Sequence, residues 1–184
     1  IDRLEKILRQ LREEEMQREL ARLESRLRKM AQMQSNVLDE TKRLEAIPVS
    51  QRDRQVDVKA GNLAFEEKKI IMEADRALLL LREEGSSVAF PEVVVQIRDD
   101  MQRVAERLTA SRLDAVTIGL QDDILAALEE MIAALQKAQR DLEQQRQQEQ
   151  QQGQPQPGQQ PGEQPLVEQI AELRLIRTME TRIM

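Results

Sequence analysis

The sequence predicts an all-α fold: an antiparallel helical hairpin or bundle with a long coiled-coil first helix, then a disordered Gln/Pro linker and a short C-terminal helix. Two observations carry that prediction. Apolar residues recur at steps of three, four and seven through most of the chain, the spacing of one helix face. Charged residues make up 34% with both signs interspersed, and the aromatics amount to two Phe. Long helices and coiled coils have that composition, whereas strands favour aromatic and β-branched side chains.

The first helix is expected over residues 2–46. Met16, Leu23, Met30, Val37 and Leu44 recur at steps of seven, and Leu20 and Leu27 form a second line continued by Gln34 and Thr41. Two such lines are the seam of a coiled coil. Leu4, Leu8 and Leu11 repeat the pattern in another phase, so a change of winding or of partner is expected across Glu13, Glu14 and Glu15. Outward pairs such as Glu14 with Arg18 and Glu24 with Arg28 add a few tenths of a kcal/mol each. The helix spans roughly 65 Å at 1.5 Å per residue.

Pro48 ends this helix, because it disfavours helical geometry at Ile47 and lacks an amide donor. Ser50 as a cap, with Asp53 on the N-terminal dipole, predicts a second helix over 51–84. Its line is Val56, Ala60, Leu63, Ile70, Ala74, Ala77 and Leu81, with Gly61 a weak point inside it. So short a connection folds the two helices into an antiparallel hairpin. Gly85 suits a helix end and Pro91 a helix start, giving a third helix over 91–113 through Val94, Ile97, Met101, Val104 and Leu108. Thr117 reads as the cap of a fourth, over 118–148, through Ile124, Leu128, Met131, Leu135, Ala138 and Leu142. One uninterrupted helix through Gly119 is the alternative. The helical region is thus 1–148. Residues 149–165 are rich in Gln, Pro and Gly and read as a linker. Residues 166–184 recover a helical pattern in a helix too short to be stable alone, expected to dock on a partner.

The net charge of −6 argues against nucleic acid as a partner, since duplex binding needs a basic face. No apolar run reaches the roughly 20 residues that span a bilayer. Opening on Ile1 inside a helical pattern, the chain reads as a processed or excised piece. Without His or Cys, the ordinary zinc, copper, haem and Glu-x-x-His di-iron sites have no ligands. The six Gly are scattered, so neither a phosphate loop nor an EF-hand is present. Asp99 with Asp100, Asp122 with Asp123 and Glu129 with Glu130 are acid pairs whose members point apart on a helix, and they read as solvated. Lys68 and Lys69, flanked by Glu66 and Glu67, read the same way. The methionines read as adaptable core packing. No enzyme, cofactor or small-molecule substrate is expected.

The stretches Phe90–Met101 (FPEVVVQIRDDM) and Asp122–Met131 (DDILAALEEM), with the Gln/Pro linker and the tail Glu172, Leu173, Arg174, Leu175, resemble a group of planctomycete envelope-associated helical proteins. That group is loosely linked to ExbB/ExbD-type biopolymer-transport components. The resemblance implies an exported, periplasmic or envelope-associated scaffold and carries over no functional residue.

The functional expectation is therefore a structural or interaction protein, a coiled-coil scaffold or adaptor acting through protein partners or self-association. Its partner-binding candidates are Leu20, Leu23, Leu27, Met30 and Val37 on the first helix and Leu166, Ile170 and Leu173 on the last. The alternative is an amphipathic-helix protein that binds a lipid or membrane surface.

Overall fold

Eight positions of the first helix, α1 (Asp2–Glu45), follow one another at alternating steps of three and four. These are Leu20, Leu23, Leu27, Met30, Gln34, Val37, Thr41 and Leu44, and all are buried. The computed structural model, which describes residues 2–84 and 89–151, places α2 (Arg54–Glu84) and α4 (Ala115–Gln151) against that line. The remaining helix, α3 (Ala89–Thr109), packs on α2 and α4. Each helix thus touches two neighbours and, among the described residues, none packs on the helix diagonally opposite.

Neighbouring helices run antiparallel. On α1 and α2, Gln34 meets Glu67 while Arg26 meets Glu73. On α1 and α4, Thr41 meets Gln121 while Glu24 meets Gln136 and Gln139. On α2 and α3, Asp75 meets Arg98. The result is an up-down-up-down four-helix bundle. Its core is filled by Leu27, Met30, Ile70, Phe90, Met101, Leu108, Leu128 and Met131, each fully buried. Burying one such side chain contributes about 1.5–3 kcal/mol, so this face of each helix drives folding.

The connections depart from expectation in their caps. The first helix ends at Glu45 and the second begins at Arg54, after a 3-10 turn over Val49–Gln51. Asp53, not Ser50, caps α2: its Oδ1 accepts from the amides of Gln55 at 2.9 Å and Val56 at 3.2 Å. Arg52 donates to the carbonyls of Glu45 and Ile47 at the end of α1 and to that of Leu113. One guanidinium therefore ties both connections at this end of the bundle.

The third helix starts at Ala89, so Pro91 falls within its first turn, where amides lack intrahelical acceptors anyway. It ends at Thr109 rather than near residue 113. Ser111 adopts φ 52°, while the Arg112 amide donates to the Arg107 carbonyl and the Ser111 amide to that of Leu108. This is a Schellman ending with serine where glycine is usual. Asp114, not Thr117, then caps α4 by accepting from the Thr117 amide at 3.0 Å, and it holds Arg107 as well. The break between the last two helices is real, and α4 runs unbroken through Gly119. The fourth helix continues to Gln151, three residues into the stretch expected as linker, because Gln and Glu sustain a helix without an apolar line; Gly85, the rest of the linker and the segment 166–184 lie outside the described residues.

Candidate functional site

The heptad line proposed as a partner seam lies inside the bundle. Leu20, Leu23, Leu27, Met30 and Val37 are at most 5% exposed, covered by α2 and α4 of the same chain. Leu166, Ile170 and Leu173 lie outside the described residues.

Two other apolar faces are uncovered. Leu4, Ile7, Leu8 and Leu11 on α1 are 44–67% exposed. Their spacing marks one face of two helical turns, about half a turn around α1 from where the buried line would continue. The change of phase across Glu13–Glu15 occurs within one continuous helix, with the apolar face changing sides. The register of Arg26 and Lys29 against Glu73 sets the end of α2 level with about Arg18. Leu4, Ile7, Leu8 and Leu11 thus project past α2, and the register of α1 on α4 sets the end of α4 level with about Leu11.

The second face is on α2. Val58, Phe65, Met72 and Leu79 stand at steps of seven and are 55–61% exposed. They lie on the side of the helix away from Ala60, Ile70, Ala74, Ala77 and Leu81, which fill the core. Met72 is therefore a surface residue, unlike Met30, Met101 and Met131. Lys69 stands over the Phe65 ring at 4.8 Å and pairs with Glu66 at 2.7 Å. The core periodicity of the same helix hid this line, and a count of apolar residues at steps of seven on the opposite face would have found it.

The polar interior is organised in layers. Thr41 donates to the Val37 carbonyl and accepts from Gln121. One layer along, Gln34 donates to Glu67 at 3.3 Å, leaving Gln34 Oε1 and Glu67 Oε1 without hydrogen-bond partners. Burial pushes the Glu67 carboxyl up to about 8, opposed only by the Gln34 amide. Glu67 is therefore a core residue and not part of a solvated charged run.

Two turns on, Glu73 accepts from Lys29, Arg26 and Arg76 at 2.9, 2.6 and 2.8 Å. The Lys29 hydrogen bond, outweighing partial burial and aided by the charges of Lys29, Arg26 and Arg76, holds Glu73 below the usual carboxylate range. At Glu24, burial works to raise the carboxyl. The amides of Gln136 and Gln139 and the Arg28 guanidinium more than offset it, so Glu24 is lowered. These are α1–α2 and α1–α4 clasps, and in the first the buried Nε of Arg26 is left without a hydrogen-bond partner.

An open groove of about 450 Å³ runs between α1 and α4, lined by Arg28, Ser35, Leu125, Glu129, Ile132 and Gln136 among others. Arg28 is committed to Glu24, and among the described residues lining the groove Glu129 is the one carboxylate. The other acid pairs do not converge either. Asp99 lies by Arg98, Asp100 by Arg103, and Asp122 by Lys42 of α1. Among the described residues, no group of three or more acids is placed to hold a metal ion. Nor is any helix there long and apolar enough to cross a membrane.

Fold and surface together define a charged four-helix bundle carrying unpaired apolar faces. No family model, curated protein or solved structure matches the chain.

Proposed function

We propose that the protein is a non-enzymatic structural and interaction protein, a helical adaptor that acts through protein partners in an envelope-associated assembly. The observation that carries this reading is the exposed apolar face on the first turns of α1. A helix exposing Leu4, Ile7, Leu8 and Leu11 on one side offers the i, i+3, i+4, i+7 anchors of helix-to-helix recognition. Contiguous exposed apolar faces of this kind mark interaction sites more often than isolated exposed leucines do. The occupant assigned to it is an amphipathic helix of a partner protein, and the four-helix core is the rigid body that holds α1 out. Envelope association rests on the sequence resemblance described above.

In-cell crosslinking followed by pull-down of the full chain tests the reading, with Leu8→Glu/Leu11→Glu and a truncation after Pro165 alongside. One defined protein complex, lost in the α1 variant, is the expected result. Loss on truncation in addition would assign the segment 166–184 to the same dock. Equal recovery by the α1 variant would overturn the role given to this face.

A lipid surface is the second reading, favoured by Arg3, Lys6, Arg9 and Arg12 against two acids, Asp2 and Glu5, over the same turns. Flotation with anionic vesicles, abolished by Leu8→Glu/Leu11→Glu and by added salt, would favour it over a protein partner.

A further inference from the structure

We infer that the outer face of α2 is a self-association surface on which a second copy of the chain packs antiparallel, α2 against α2. The inference rests on the reading of the protein as an interaction module and adds a specific partner on a different face. Three observations lead to it.

The first is the line itself. Val58, Phe65, Met72 and Leu79 span about 32 Å at 1.5 Å per residue, with each exposed by more than half. A seven-residue repeat drifts by about 20° per step on a straight helix, and a left-handed crossing with another helix absorbs that drift.

The second is symmetry. Arg54 precedes Val58 by four residues and Glu83 follows Leu79 by four, and both are exposed. The series is therefore palindromic about the point between Lys68 and Lys69. A two-fold axis there sets Val58 against Leu79 of the second copy and Phe65 against Met72, an aromatic–thioether contact of a favourable kind. It also sets Arg54 against Glu83, while Asp57 and Arg82, flanking the line, approach one another. A surface complementary to itself is what a two-fold interface requires. The parallel arrangement puts Arg54 on Arg54 and Glu83 on Glu83, like on like.

The third is Gly61. It lies on this face between Val58 and Phe65, and among the described residues a Cβ there would meet nothing within 4 Å. Mid-helix glycine is destabilising, and packing inside the bundle gives no reason for it. Under the two-fold, Gly61 comes level with Arg76 of the second copy, whose guanidinium is held aside by Glu73, and the missing side chain lets the two helices approach there. The central lysines oppose the arrangement, and Lys69 carries its own counter-ion in Glu66.

The chain contains no Cys, so single-cysteine variants report the register directly. Full-length Phe65→Cys and Met72→Cys chains, mixed and oxidised gently, are expected to give mainly the mixed disulfide. Val58→Cys mixed with Leu79→Cys is expected to do the same. Sedimentation equilibrium is expected to show twice the chain mass at tens of micromolar, reduced to the chain mass by Phe65→Glu or the milder Met72→Gln. Helicity and melting of the monomeric variants should match the parent at equal dilution. A parent that stays monomeric, or Phe65→Cys chains that crosslink only to themselves, would overturn the proposal. A monomer that still captures a protein through α1 would remove the dimer and leave the adaptor reading standing.

Discussion

Replacing Glu67 with Gln isolates the strongest electrostatic cost in the bundle. The side chain is fully buried between α1 and α2, and its carboxyl is raised from the ordinary 4.5 to about 8. A raised folded-state value means that the folded protein holds a proton the unfolded chain gives up. The stabilisation is complete below the ordinary value, declines as pH rises, and is exhausted above about 8. Each tenfold difference in proton affinity is worth about 1.4 kcal/mol, so the whole swing is about 5 kcal/mol. Roughly 4 kcal/mol of it falls between about pH 5 and about pH 9. These are ceilings, because water reaching the ionised carboxylate softens the cost. No His, Cys or Tyr titrates in that window. The carboxyls of Glu24, Glu73 and Asp114 are held low and act only on the acid side. Glu67→Gln keeps the shape and supplies an amide able to serve Gln34 Oε1, which now lacks a partner. Urea unfolding of both proteins across this pH range is the assay. The parent should lose several kcal/mol and the variant stay nearly level, overtaking the parent in alkali. Parallel profiles would refute the assignment of the slope to Glu67.

Further consequences concern single positions. Glu73→Gln leaves Arg26, Lys29 and Arg76 sharing a neutral acceptor and should cost about 1–3 kcal/mol in denaturant unfolding. Because Glu73 is lowered in the fold, its contribution is present above the ordinary carboxylate range and should vanish as pH falls through the lowered value. Ser111→Gly should stabilise by about 1 kcal/mol, since φ 52° suits glycine, and a lower melting temperature would contradict the Schellman ending. Leu128→Ala should cost about 2–5 kcal/mol as a buried truncation. Leu8→Glu should leave stability within about 0.5 kcal/mol of the parent, because that side chain is more than half exposed.

The helices were legible in the sequence because the bundle uses one dominant signal, apolar spacing near 3.6, on every element. The α1 line from Leu20 to Leu44 packs as its spacing requires, with Gln34 and Thr41 continuing it as buried polar layers. What the spacing left open was which surface would cover that line, since a heptad seam suits a neighbour in the same chain as well as a separate one. Each cap lies three residues from the hydroxyl that suggests it, Asp53 for Ser50 and Asp114 for Thr117, because hydroxyl and carboxylate caps compete within one turn. The end of α3 was obscured because Ser111 holds a position that glycine normally signals. The pair Lys68 and Lys69, flanked by Glu66 and Glu67, reads as a solvated face, which obscures the burial of Glu67. Yet Ala60, Glu67, Ala74 and Leu81 stand at steps of seven, a pattern that would have marked it as core. The α2 outer line is obscured for the converse reason, since the stronger core periodicity of the same helix dominates its apolar pattern.

The adaptor reading is tested most directly by a photo-crosslinking residue placed at Leu8, and separately at Leu27, in the full-length chain expressed in cells. The account predicts a discrete protein adduct from position 8 and only intramolecular products from position 27, which is enclosed by α2 and α4. An absence of protein adducts from position 8, or the same adducts from both positions, would contradict it.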